Sequence, residues 1–153
     1  MLNQVVNETA LVTWAQRLAF AAPEAGLLFL DGDLGAGKTT FARAFLRALG
    51  VTGAVRSPTY TLIEPYELPD RRVLHLDLYR LGSAEELDAL GVREEWDRAL
   101  LLIEWPTQAA GALPAPDVHL ALELLPQNPL QRQMSLRPTT SKGTDWLSRT
   151  QTG

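Results

Sequence analysis

Gly32-Asp33-Leu34-Gly35-Ala36-Gly37-Lys38-Thr39 fits the pattern G-x-x-x-x-G-K-[ST] at every defined position. The chemistry that needs this order is the holding of a polyphosphate. Glycines let the backbone turn so that successive N–H groups face a phosphate, the lysine adds positive charge beside the β and γ groups, and the threonine hydroxyl can ligate Mg²⁺. Of the 14 Lys and Arg residues, 12 are arginine, so Lys38 is one of only two lysines. A compact ammonium on a flexible stem reaches into such a cradle where a forked guanidinium fits poorly. A flexible glycine turn with one solvated lysine is the bland alternative, and it leaves the strand and helix patterns on either side without a reason.

A phosphate loop also needs an acid close by, to complete a metal shell or to hold an attacking water. Val73-Leu74-His75-Leu76-Asp77 and Leu100-Leu101-Leu102-Ile103-Glu104 each run through apolar residues and end on a carboxylate. In an open parallel sheet, ligands sit at the carboxyl ends of the strands, so both acids can lie beside the loop. The pattern does not choose between Asp77 and Glu104 for the metal. His75 alternates with apolar neighbours and reads as a packed histidine rather than a ligand or base. Trp105 reads as a core aromatic, and Arg80 as a carboxylate partner ahead of a phosphate contact. Two histidines and no cysteine argue against a zinc site.

The elements that must position these residues follow from periodicity and caps. Asn7 caps a helix over about Glu8 to Ala21, with Leu11, Trp14, Ala15 and Leu18 on one face. Leu27 to Leu30 is a strand buried on both faces, and the helix after the loop runs from Lys38 to Leu49 with Gly50 as its C-cap. Extended stretches are expected at Tyr60 to Glu64 and Arg72 to Leu78, a capped helix from Ser83 with Glu86 to Gly91, a strand at Leu100 to Glu104, and a hairpin pairing Val118–Leu125 with Gln131–Arg137. The expected architecture is α/β: a single P-loop NTPase domain over residues 1–137, with a central, mostly parallel sheet flanked by helices and antiparallel edge strands. Residues 138–153 read as a polar, loosely ordered C-terminal tail.

Composition bounds the function. At 153 residues, 46% hydrophobic and 21% charged, the chain has the make-up of one soluble globular domain. No apolar run reaches membrane-spanning length and no signal peptide is visible, so a cytoplasmic location is expected. The absence of cysteine excludes a disulfide scaffold and a cysteine nucleophile. A formal net charge of −4 argues against a broad nucleic-acid-binding face. No N-K-x-D guanine-reading motif occurs, which disfavours a GTPase.

Four segments, GDLGAGKTTF from Gly32, SPTYT from Ser57, HLDLYR from His75 and IEWP from Ile103, resemble in order and spacing the TsaE (YjeE) family. The resemblance extends from about residue 5 to about residue 137. It implies a bacterial ATPase required for threonylcarbamoyladenosine synthesis in tRNA, which uses ATP and Mg²⁺ and binds the TsaD–TsaB heterodimer that transfers the group. It would reset that complex between turnovers and meet tRNA only through it, away from any membrane. Carried onto this chain, Gly35, Ala36, Gly37, Lys38, Thr39 and Thr40 would hold the phosphates, and Thr39 and Glu104 would ligate Mg²⁺. Asp77 would serve hydrolysis, which makes Lys38, Asp77 and Glu104 the expected catalytic set. The Ser57–Thr61 segment would act as a switch-like loop near the γ-phosphate. Glu8 would lie near the nucleotide base, with Arg132 approaching it from the late hairpin. The other readings of the same loop are a small nucleoside or metabolite kinase and a nucleotide-sensing docking module.

Overall fold

The two apolar runs that end in Asp77 and Glu104 lie side by side in a computed structural model of the chain, which describes residues 1–152. Seven strands form one sheet: β1 (Leu2–Asn7), β2 (Gly26–Gly32), β3 (Ile63–Glu67), β4 (Arg72–Asp77), β5 (Leu100–Glu104), β6 (Val118–Leu124) and β7 (Gln131–Pro138). Their order is β1-β7-β6-β2-β5-β4-β3. The inner four, β6, β2, β5 and β4, are mutually parallel, while β7, β1 and β3 join antiparallel at the edges. This is the expected α/β sheet. Every residue of β5 is buried, as a leucine-rich strand covered on both faces must be.

Helices α1 (Glu8–Phe20) and α2 (Lys38–Leu49) cover one face of the sheet. Asn7 caps α1 through Oδ1, which accepts the Ala10 N–H at 2.8 Å. Leu11, Ala15 and Leu18 of α1 then meet Phe41, Phe45 and Leu46 of α2 over Leu28, Leu30, Leu100 and Leu102. On the other face, Leu27, Leu74, Leu76, Leu101 and Ile103 pack with Leu81, Leu87 and Val92, from α3 (Ala84–Ala89), the turn before it and a 3₁₀ turn (Val92–Glu95) after it. Ser83 opens α3 without a side-chain cap bond, and Glu86 instead accepts the Gly82 N–H at 3.0 Å.

Two parts of the chain differ from the sequence reading. The polar-alternating stretch Leu2–Asn7 is an edge strand, recruited by pairing with β7. The stretch from residue 138 on is not a loose tail: after Pro138 ends β7, residues Ser141–Thr152 form α4, while Gly153 lies outside the described residues. Thr140 caps α4 by accepting the Gly143 N–H at 3.0 Å, and its hydroxyl donates to Asp117 at 2.6 Å. Trp146 is fully buried and donates its Nε1–H to the Leu18 carbonyl at 2.9 Å. A Cβ at position 143 would stand 1.7 Å from the Asp117 carbonyl oxygen, so only glycine lets the helix seat there. Arg149 donates to the Ala21 carbonyl at the C-terminus of α1, where cations are favoured, and Lys142 to the Ala25 carbonyl just before β2. The expected disorder fails because the anchoring apolar groups, Trp146 and Leu147, find a partner surface more than 120 residues away in sequence.

Candidate nucleotide site

The phosphate loop leaves β2 at Gly32 and enters α2 at Lys38, beside the ends of β4 and β5. Its shape needs glycine at three places, Gly32, Gly35 and Gly37, all with positive φ. Gly37 has φ 112° and Gly32 φ 157°, and a Cβ on Gly32 would meet the Leu122 carbonyl oxygen at 2.8 Å. The first turn of α2 offers N–H groups with no intrahelical acceptor, aimed with the positive end of the helix dipole. Lys38 is buried, and its ammonium donates to the Gly32 carbonyl. Its Nζ also lies 3.7 Å from the centre of the Trp105 ring. Burial pushes the Lys38 pKa below 10.5, against the opposing pull of Glu104, Asp77, Asp31 and Asp33.

The parallel register sets Asp77 directly opposite Glu104, so the two carboxylates share one face of the sheet. Both are buried, at 8% and 5% exposure. Asp77 accepts the Tyr79 N–H at 3.0 Å and the Thr59 hydroxyl at 3.3 Å, which links it to the Ser57–Thr61 segment. Burial nevertheless holds its carboxyl above the ordinary aspartate value, with Glu104 adding like-charge repulsion. Glu104 is met by His75, whose Nε2 stands 2.7 Å from Oε2.

Two cavities flank the loop. One, of about 410 Å³, is lined by Gly35, Gly37, Lys38, Thr39, Thr40, Asp77 and Glu104 together with Thr59, Tyr79, Arg80 and Trp105. The other, of about 440 Å³, is lined by Glu8, Gly35, Ala36, Gly37, Thr40 and Arg132 together with Asn7 and Leu130. Glu8, Gly35 to Thr40, Asp77, Glu104 and Arg132 therefore line one groove, with Gly35, Gly37 and Thr40 as the ridge between its halves, while His75 and Ser57 line a smaller cavity that shares Thr39 and Glu104. Arg132 directs its donors at the Gly35 and Ala36 carbonyls (3.1 and 3.2 Å) and at those of Pro129 and Gln131, so it braces the loop from β7.

Three details depart from the sequence reading. Among the described residues Arg80 forms no ion pair but stacks over the Tyr60 ring at 4.5 Å. Trp105 is half-buried over Lys38 with a left-handed φ of 57°, and is not simply a core residue. His75 is packed, as expected, yet its polar edge reaches Glu104; alternation along one strand carries no sign of a partner 29 residues away.

As for a metal, Mg²⁺ takes oxygen donors, and Thr39, Asp77 and Glu104 bring three such side chains to one cavity. The raised pKa of Asp77 marks a buried carboxylate short of positive charge, which a cation would relieve. Among the described residues no cluster of three or more His, Cys, Asp or Glu forms a closed metal cage.

A profile of the family described as "Threonylcarbamoyl adenosine biosynthesis protein TsaE" matches residues 5–134, most of the chain and all four of its diagnostic segments. The chain belongs to the TsaE family. The TsaE protein of Haemophilus influenzae, described as a tRNA threonylcarbamoyladenosine biosynthesis protein, is 45% identical over 98 residues. That match covers 63% of this chain and 62% of the relative, so less than two thirds of that relative's length is spanned. The TsaE protein of Rickettsia bellii is 36% identical over 129 residues, covering 82% of this chain and 90% of that one. Among solved structures, YdiB of Bacillus subtilis superposes with a TM-score of 0.83 at 25% identity, over 99% of this chain and 94% of YdiB. The TsaE fold is a P-loop NTPase fold, which implies that this member binds a nucleotide. No helix among the described residues is long and apolar enough to cross a membrane.

Proposed function

We propose that this chain is the ATP-hydrolysing subunit of tRNA threonylcarbamoyladenosine synthesis, and that its hydrolysis supports turnover of the TsaD–TsaB transferase. The observation that carries this reading is the juxtaposition of a complete phosphate loop with two buried carboxylates in register, Asp77 and Glu104, in one groove. Backbone N–H groups from Gly35 to Thr40 and the Lys38 ammonium hold the β and γ phosphates. The half of the groove between Glu8 and Arg132 takes the base and sugar. Thr39 and Glu104 would hold Mg²⁺, which would supply positive charge against the negative charge that develops on the leaving phosphate. Asp77, made more basic by burial, accepts a hydrogen bond and then a proton at a carboxylate oxygen from the water that attacks the γ-phosphorus. Thr59 keeps that carboxylate oriented from the Ser57–Thr61 segment, so movement of the segment alters the water's position.

The partner makes its contribution through the complex, and the acidic chain leaves tRNA to it. The expected location is the cytoplasm. The test is multiple-turnover modification reconstituted with TsaD and TsaB, comparing wild type with Asp77→Ala and Glu104→Ala. Single-turnover transfer should persist while repeated turnover is lost; full turnover in both variants would refute the assignment. Free phosphate release should be slow alone and faster with the partner, and labelled phosphate appearing on a nucleoside would favour a kinase instead.

A further inference from the structure

We propose that His75 is a positioning residue that fixes the Glu104 carboxylate in the orientation needed to hold the cation. This rests on the reading of Glu104 as a Mg²⁺ ligand. His75 stands two residues before Asp77 on β4, so both side chains leave the same face of the sheet. The β4–β5 register sets His75 opposite Leu102 and Asp77 opposite Glu104. The imidazole therefore sits one pleat behind the acid pair and reaches diagonally across to Glu104 Oε2 at 2.7 Å. Both partners are almost sealed from solvent, at 3% and 5% exposure.

The ring's protonation pattern follows from its partners. Nδ1 is buried and has no hydrogen-bond partner among the described residues. A buried N–H left unpaired costs more than a bare lone pair, so the ring proton belongs on Nε2, where a carboxylate accepts it. One oxygen of Glu104 is thereby tied down and the other is left for a further ligand. Glutamate otherwise loses side-chain freedom when it is fixed on a ligand, and the imidazole removes that freedom in advance. His75, Glu104 and Thr39 all line one small cavity with Ser57, which places the contact beside the hydroxyl expected to share the cation. Leucine would fill the same space without needing a partner, so what the imidazole adds at this position is the contact with Glu104.

The experiment compares wild type with His75→Leu, His75→Gln, His75→Asn and Glu104→Gln. Calorimetry measures binding of a non-hydrolysable ATP analogue over a range of Mg²⁺ concentrations, thermal unfolding checks each fold, and ¹⁵N spectra of the wild type locate the ring proton. His75→Leu should raise the Mg²⁺ concentration for half-maximal effect about tenfold or more, with metal-free binding unchanged, in line with the usual cost of removing a group that orients a metal ligand. His75→Gln should recover most of it, because its amide nitrogen reaches where Nε2 stands; His75→Asn, one methylene shorter, should not. The wild-type ring should carry its proton on Nε2. Wild-type Mg²⁺ dependence in folded His75→Leu, equal behaviour of Gln and Asn, or a proton on Nδ1 would each overturn the role. If His75→Leu does not fold, the Gln and Asn pair and the wild-type spectrum still decide. Wild-type Mg²⁺ dependence in folded Glu104→Gln would bring down the metal reading, and this role with it. A Mg²⁺ dependence that shifts in Glu104→Gln but stays at wild type in His75→Leu would bring down His75 alone.

Discussion

Replacing Trp146 with alanine tests whether the last helix is part of the domain. The side chain is fully buried and its Nε1–H is bonded to the Leu18 carbonyl, so the substitution removes a large apolar volume and a buried donor together. Core Trp→Ala changes cost about 3–5 kcal/mol. With an unfolding entropy of roughly 2.1 cal/mol/K per residue, a chain of this length loses about 1 °C for every ~0.3 kcal/mol. The expected fall in Tm is therefore roughly 9–16 °C. Trp146→Phe keeps most of the apolar area and loses the hydrogen bond, so about 1–2 kcal/mol and a few degrees are expected. Thermal unfolding followed by circular dichroism measures both. Nucleotide binding well below the transition should be unchanged in both, since α4 packs against α1, β6 and β7 and lines neither cavity of the site. A fall of less than about 3 °C for Trp146→Ala would show that α4 contributes little and would return residues 138–152 to the status of a tail.

Three further outcomes are expected at the site. Lys38→Met should weaken nucleotide binding roughly 10- to 160-fold, the range for a charge-assisted hydrogen bond of about 1.5–3 kcal/mol, as read by calorimetry. The same variant should be more stable than wild type at neutral pH. Because the folded-state pKa of Lys38 is lowered, the cost of keeping it charged is full at neutral pH and fades as pH climbs towards 10.5, so the variant's advantage should shrink in alkaline melts. Asp77→Asn should cut hydrolysis by about 10²–10⁴ in a phosphate-release assay while leaving analogue affinity near wild type. It should also raise Tm by about 2–4 °C per kcal/mol gained, because the buried carboxylate, with its raised pKa, costs stability until acid protonates it. Arg132→Ala should weaken nucleotide binding about tenfold with little effect on Tm, since it frees the Gly35 and Ala36 carbonyls rather than opening the core.

The groove was legible in sequence because its parts are local. A glycine loop between a strand and a helix, and a carboxylate at the end of each buried strand, are patterns each contained within about ten residues. Even the pairing of Asp77 with Glu104 was within reach, since adjacent parallel strands bring their ends together. What sequence hid depends on pairings made across the chain. Leu2–Asn7 has a weak apolar pattern and becomes a strand only by lying along β7, 124 or more residues away. Residues 141–152 carry a Gly and few apolar groups, so local propensity predicts little; Trp146 finds α1, and Gly143 allows contact with the Asp117 backbone. His75 shows the same limit at one residue: its alternation spoke for burial, while its partner was set by register. Arg132 was placed at the groove, but its target, the carbonyl side of the phosphate loop, has no sequence signature.

The ammonium of Lys38 enters the folded state already stripped of most of its water, cupped between the Gly32 carbonyl and the Trp105 ring. An incoming phosphate thus meets a cation whose dehydration happened when the chain folded. Association then amounts to an exchange of one acceptor for another, a carbonyl for an anion, rather than the extraction of a charge from solvent. Such a groove discriminates by charge. A neutral ligand of the same shape displaces the carbonyl without matching it, and an anion gains from a cation that has few competing waters to shed.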